Sequence, residues 1–315
     1  MDMLDCSVIG DVLIDVVVHG KSYLGNLVPS GTSYCSFAKI EFGGSGNVAV
    51  GLSALGGRAA FVGKAGNDFF GKLYVEDLKK RGVIPRVVLD RYLPTGVVIV
   101  FLDQQKERSF LVFRGANDEM SPKEVEKASS EIKRSRYMYF SGYSLINRPQ
   151  EEAILWAVDL ARKHKLKIVF DPGAHNIVKS KKRLFTKLLS FCDVFSPNLE
   201  EASAITSTTR FEDIVEKLRE KVPFTALKLG KDGSLLISGK ETVTTQGLKV
   251  RCMDTTGAGD AFIAAIIYGL SRKLPLAMIG RMANWFSAQA VTQMGSRSFP
   301  SKSRILHFLD NNSDS

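Results

Sequence analysis

The segment Asp254-Thr255-Thr256-Gly257-Ala258-Gly259-Asp260-Ala261-Phe262 has the makings of an anion cradle with a carboxylate at its rim. Glycines let successive backbone N–H groups turn toward one point, and the apolar helix that follows adds the positive end of its dipole. A carboxylate beside an anion site repels the ligand, so Asp260 needs a reason to be there. Accepting the proton of an attacking hydroxyl is such a reason, and it fits phosphoryl transfer. At a helix N-terminus Asp260 is expected to titrate like an ordinary aspartate and to be ionised at neutral pH. The plain alternative is a capped helix with an acid in its first turn, which does not account for Gly-Ala-Gly-Asp together with Asp254.

A second glycine-rich loop, Gly43-Gly44-Ser45-Gly46-Asn47-Val48-Ala49, enters a helix of small residues that runs to Gly56. It fits the G-x-G-x-x-A pattern of a dinucleotide fold, but it stands well inside the chain and no acid ends the next strand. Such a loop still lets a ligand approach the backbone, and Asn47 offers a hydroxyl both a donor and an acceptor. In Gly10-Asp11-Val12-Leu13-Ile14-Asp15 the alternation puts Asp11, Leu13 and Asp15 on one face of a strand. Carboxylates on an apolar strand are costly to bury unless used, and Asp15 could accept hydrogen bonds from two sugar hydroxyls. Asp15 to Ser22 is a near miss to a P-loop, lacking the first glycine and the following helix, so a Walker ATPase is excluded.

The elements that must position these residues alternate. Strands are expected at Ser7–Val18, Ala59–Val62, Tyr137–Phe140, Lys167–Phe170, Val194–Phe195 and Thr225–Leu229. Helices are expected at Asn47–Leu55, Gly71–Arg81, Glu151–His164 and Asn198–Ile205, with two more near 259–271 and 275–293. That alternation implies a mainly parallel sheet covered on both faces. Residues 16–42 and 87–115 break the rhythm: they alternate with period two, carry the turn signals Pro94-Thr95-Gly96 and Asp103–Lys106, and have no helix between strands. They are expected to form a small antiparallel sheet serving as a lid on a single domain spanning 1–315. Its exposed edges invite pairing between two copies of the chain.

Composition narrows the classes. The chain has 315 residues, 44% hydrophobic and 24% charged, which fits a globular α/β protein. No run approaches the roughly 20 apolar residues that span a bilayer, and four acids interrupt the first apolar segment, so neither a membrane span nor a signal peptide is expected. Four scattered cysteines and four scattered histidines suit a reducing cytoplasm and form no metal-binding spacing. The formal charge of +10 raises nucleic acid as a partner, but the basic clusters are short and lack interleaved aromatics. A solvated surface that steers small anions fits better.

Together the Gly43–Gly56 segment, the Asp254–Asp260 segment and Pro197-Asn198-Leu199-Glu200-Glu201 resemble the ribokinase, or PfkB, family of carbohydrate kinases, over nearly the whole chain and in the same order. The resemblance implies a three-layer α/β sandwich with a β lid, and ATP- and Mg²⁺-dependent transfer to a hydroxymethyl group of a small sugar. A nucleoside or phosphosugar kinase is the alternative, and a non-catalytic sensor of sugar or nucleotide a more distant one. It implies that Asp260 is the base and that the N–H groups of Gly257, Ala258 and Gly259 form the anion hole. Asp15, Gly43, Gly44 and Asn47 would hold the acceptor hydroxyls, with Asp11 beside them. Asn198 and Glu201 would arrange Mg²⁺-bound waters, and Lys228, Gly230 and Gly233 would line the nucleotide, with Asn284 by the adenine. Asp254 matches part of a monovalent-cation site, for K⁺, seen in some members. Asp171-Pro172-Gly173-Ala174-His175 departs from the D-P-N-x-R of many hexose and acid-sugar kinases. Leu13 stands where ribokinases carry a polar residue and some nucleoside kinases an apolar one.

Overall fold

A computed structural model of the chain describes residues 2–20, 30–32, 34–102 and 108–310. Its strands, in chain order, are β1 (Leu4–Ile9), β2 (Leu13–Gly20), β3 (Cys35–Gly43), β4 (Ala59–Gly66), β5 (Ile84–Asp90), β6 (Gly96–Leu102), β7 (Arg108–Phe113), β8 (Ser135–Ser141), β9 (Lys167–Asp171), β10 (Val194–Phe195), β11 (Phe224–Lys228), β12 (Gly233–Ser238) and β13 (Glu241–Gln246). Among the described residues the large sheet has the order β13-β12-β11-β10-β9-β8-β1-β4-β5. It is parallel from β5 through to β11, and β12 and β13 add to it antiparallel. Because it is covered on both faces, its strands are runs of buried residues: every residue of β1 and β4 is buried.

Successive residues of a strand point to opposite faces. Val8 faces a core built with Val48, Phe61, Ile263 and Phe286, whereas Ile9 faces one built with Phe140, Phe170, Phe185 and Ile214. The helices Gly46–Ala54, Ala258–Ser271 and Leu276–Ala290 cover the first face. The helix Gln150–Lys163 and its neighbours cover the second. The run Ala261–Ile267 is buried throughout, and each large apolar side chain so placed contributes about 1.5–3 kcal/mol. That burial anchors the helix whose first turn carries Asp260. The helix Gly46–Ala54 packs along it, with the Cβ position of Gly51 only 3.0 Å from Ala264 Cβ, and its first-turn Asn47 reaches Asp260 in the first turn of the other.

Two expectations need correction. Ser7–Val18 is not one strand. The chain leaves the large sheet after Ile9, turns through Gly10-Asp11-Val12, and re-enters a different sheet at Leu13. Asp11 therefore lies in the turn and not on a strand face with Asp15. The second concerns the lid: the small sheet has the order β3-β2-β6-β7, draws on 13–20, 35–43, 96–102 and 108–113, and is mixed and not antiparallel, because two hairpin-like pairs, β2–β3 and β6–β7, join through the parallel pair β2–β6. Residues 87–90, expected in it, belong to β5, the edge of the large sheet paired with β4. The turn signal at Asp103–Lys106 and part of the first stretch, 21–29, lie outside the described residues.

Candidate active site

Gly257 has φ +78°, a left-handed conformation that starts the helix Ala258–Ser271 without a side-chain cap. Any Cβ there would run into the backbone of Ser296, so the turn demands glycine. The first N–H groups of a helix have no partner within it; here that of Ala258 makes a long bond back to the Thr255 carbonyl, at 3.3 Å. Asp254 braces this loop: its Oδ1 accepts from the Thr256 N–H at 2.8 Å and its Oδ2 from the Gly295 N–H at 3.0 Å. Gly259 has open space beside it, and among the described residues outside its own helix turn the atom nearest its Cβ position is Lys228 Nζ, at 3.9 Å.

Asp260, partly buried in that first turn, accepts a hydrogen bond at 3.0 Å on Oδ2 from Asn47 Nδ2. Burial pushes its pKa up to about 6; the Asn47 hydrogen bond, Lys228 and Arg297 pull the other way, and Asp171 pushes further up. The ordinary value expected from sequence is thus wrong, because protein has replaced water around the group. Asn47 is itself held by Arg297, whose Nε donates to Asn47 Oδ1 at 2.8 Å.

On one side of Asp260 a cleft of about 400 Å³ runs between Lys228, Gly230 and Gly233 and the two helices that supply Ala258, Gly259 and Asn284. Asn284 is committed to the scaffold, donating to the carbonyls of Thr245 and Gln246 at the end of β13. Lys228 closes the inner end on Asp171 at 2.7 Å. Burial works against its charge, but Asp171 and Glu201 outweigh that and hold it protonated. Asn198 and Glu201 form a reciprocal capping box at the start of the helix Leu199–Thr206, and Asn198 bridges to Lys228 through the backbone. Burial, with Asp171 adding to it and Lys228 opposing, raises the Glu201 carboxyl.

On the other side lies the small sheet. Gly44, at φ +74°, packs its Cα against the Asp11 carbonyl, which leaves no room for a side chain and no strain-free alternative to glycine. Gly43 touches the Asp15 carboxylate, and Asp15 stands opposite Glu41 across β2 and β3. Asp15 is 7% exposed. Burial raises its pKa to about 7, with Glu41, Asp260 and Asp254 adding to the effect and Arg297 opposing it. Asp11 stands apart: Arg114 donates to its two oxygens at 3.1 and 3.2 Å, and Gln150 to Oδ1 at 2.6 Å. Asp171, Glu41 and Arg297 were not singled out from sequence. Only Asp171 had a signal, the Asp-Pro-Gly that stops its strand.

The profile of the pfkB family carbohydrate kinases matches residues 3–303. The chain is 30% identical over 294 residues to a fructokinase-1 of Oryza sativa subsp. japonica, covering 87% of this chain and 90% of that one. It superposes on the adenosine kinase of Sinorhizobium meliloti with a TM-score of 0.89 at 25% identity, over 97% and 99% of the two chains. On an aminoimidazole riboside kinase from Salmonella enterica, solved with aminoimidazole riboside and an ATP analogue, the score is 0.79 at 26% identity, over 96% and 99%. The fold is thus ribokinase-like, and the chain belongs to the pfkB family of carbohydrate kinases, phosphotransferases whose acceptor is an alcohol group.

Proposed function

We propose that the protein transfers the γ-phosphoryl group of ATP to a hydroxymethyl group of a small sugar. The observation that carries this is the placement of Asp260, at the seam between a nucleotide-sized cleft and the carboxylate of Asp15. A base belongs on such a seam because the hydroxyl must lose its proton just as it meets the phosphorus. In this reading Asp15, Asn47 and the backbone at Gly43 and Gly44 orient the acceptor, with Asp11 acting through Arg114. Asp260 takes the proton. The N–H groups of Gly257, Ala258 and Gly259 receive the developing phosphoryl charge, and Lys228 faces it from the open side of the cradle. Gly230, Gly233 and Asn284 line the base and ribose part of the cleft.

Mg²⁺ and K⁺ both fit the donors present. Glu201 and Asn198 offer hard oxygens beside Lys228 and would hold Mg²⁺ through water. Asp254 offers hard carboxylate oxygens in the loop it braces and would hold K⁺. A bound Mg²⁺ would neutralise charge on the β- and γ-phosphates. We read 1–315 as one kinase unit with the small sheet as its lid. That sheet is also the place for a homodimer contact: Ile40, Leu111 and Phe113 of its outer face are more than half exposed.

A riboside acceptor is the second reading. It is favoured by the apolar patch of Leu13, Val17, Val98 and Val100 on the face that carries Asp15, a surface suited to a base. One assay decides among the readings. ADP release is followed with Mg²⁺-ATP and, in turn, D-ribose, D-fructose, a phosphosugar, adenosine, inosine and aminoimidazole riboside. ADP release that depends on one of these alcohols is expected. ATP binding without turnover on any of them would leave a sensor.

A further inference from the structure

Arg297 is a charged side chain only 8% exposed, yet it touches neither the cradle nor the nucleotide cleft. Its surroundings satisfy two of its three nitrogens, Nη2 being buried without a hydrogen-bond partner among the described residues. Nη1 pairs with Asp77 at 2.5 Å, and the guanidinium carbon lies 4.5 Å from the ring centre of Tyr74 and 5.1 Å from that of Phe42. The Tyr74 hydroxyl donates to the Gly43 carbonyl at 2.8 Å. A Cβ on Gly46 would collide with that hydroxyl and come within 2.9 Å of Arg297 Nη2, so the glycine before Asn47 makes room for this pair. Burying a guanidinium costs several kcal/mol unless it is paired, by the general scale for buried ions. Asp77 supplies the pairing, and Arg297 Nε is spent on the neutral amide of Asn47.

We propose that Arg297 is a positioning residue for phosphoryl transfer: it fixes the Asn47 amide so that Nδ2, and never Oδ1, faces Asp260. The inference rests on the kinase reading above and names a residue that this reading leaves unassigned. The amide has two ends. With Arg297 Nε on Oδ1, only the NH₂ end is left for the carboxylate, and it reaches Asp260 Oδ2 at 3.0 Å. That holds one oxygen of the base in place. Without Arg297 the amide is free to turn over. Its oxygen would then meet Asp260 favourably only when Asp260 carries a proton, which is the form that cannot act as a base. Arg297 also opposes the upward drift of Asp260 and Asp15 through its charge. The charged groups around Asp260 are Asp171 and Lys228 from the large sheet, Asp15 from the small sheet and Arg297, with the neutral phenols of Tyr139 and Tyr143 nearby. The same short loop braces the other partners: Gly295 donates to Asp254, and the backbone of Ser296 lies against Gly257.

The test compares the parent, Arg297→Met, Asn47→Ala and the double variant, using whichever alcohol of the panel the parent phosphorylates. Arg297→Met is expected to lower kcat by about 10²-fold, the scale of a small misplacement of a reacting group. The ATP KM should change little, and the acid limb of the kcat profile should move to higher pH. At a pH well above the acid limb, where Asp260 is ionised in every variant and the charge of Arg297 no longer sets its protonation, the double variant should be no slower than Asn47→Ala, because there both changes act through one amide. Arg297→Met leaves Asp77 with Arg81 as its charged partner, at 2.9 Å, so it is also made with Asp77→Asn, and folding is followed by circular dichroism and melting. Parental kcat, losses that multiply in the double variant at that pH, or a protein that fails to fold in both backgrounds would each overturn the inference. If the parent turns over no alcohol, the kinase reading fails first and this one with it.

Discussion

An aspartate in water titrates near pH 3.9, and the dipole at a helix start would lower it further. Asp260 goes the other way, to about 6, because its surroundings are protein. The proposed role as base needs the ionised form, which fixes the sign of the expectation. As pH falls through about 6 the fraction of active carboxylate falls, and kcat should drop roughly tenfold per unit below it and level off above about 7. Asp260→Asn keeps the shape and one acceptor oxygen but cannot take the proton. It is expected to lose about 10²–10⁴-fold in kcat, with ATP binding and melting temperature close to the parent. Steady-state rates from pH 5 to 8 and a nucleotide titration check both points; parental turnover by Asp260→Asn would remove the base from the mechanism. Asp260 is legible in the sequence because its cradle is contiguous with it. Its acid constant is not, because it depends on Asn47, Asp171, Lys228 and Arg297, which arrive from four other places in the chain.

At the scale of elements, legibility follows periodicity. The buried parallel strands and the helices beginning at Gly46 and Ala258 read correctly because runs of apolar residues and glycine punctuation are local signals. The break at Gly10-Asp11-Val12 was hidden because both flanking strands are apolar, so nothing in hydropathy marks a change of sheet. The strands β12 and β13 were missed for want of a helix between them and β11. Register carries what pattern alone cannot. Asp15 pairs with Glu41 and with Val98, which puts Glu41 on the same face of the small sheet as Asp15. The next row, Ile40, Val16, Ile99 and Leu111, turns outward. With Ile40 60% and Leu111 57% exposed, that outward face is a candidate for pairing between two copies. Leu111→Lys should therefore convert a dimer to a monomer in sedimentation runs at micromolar concentration, while the large sheet and its melting behaviour persist. A parent that already sediments as a monomer would place no interface there.

For the whole molecule, the crowding of acids that makes a phosphoryl-transfer site also loads the fold with charge that burial disfavours. Asp15 shows the cost most plainly, since its carboxyl is held near pH 7 by burial and by Glu41, Asp260 and Asp254. Unfolded, the same group titrates near 3.9. Between those values the folded protein binds a proton that the unfolded chain has released, so stability from this group is complete below about pH 4 and is lost as pH rises toward 7. Acids such as Asp90 and Glu131, lowered to about 2 by their partners, act only at still lower pH and are common to parent and variant. Asp15→Asn removes the charge while keeping the volume. It should melt with the parent at pH 4.5 and a few degrees above it at pH 8, by the scale that links about 1 kcal/mol to about 2–4 °C in domains of similar size. The gain has a functional counterpart. An amide offers acceptor hydroxyls one oxygen in place of two and no charge, so the acceptor KM should rise steeply while the ATP KM stays within a few-fold. Calorimetry at the two pH values, beside acceptor and ATP titrations at pH 8, measures both halves on one protein. A melting difference independent of pH would show that Asp15 is not a buried proton-binding group. Equal losses for acceptor and nucleotide would take it off the acceptor side of the seam.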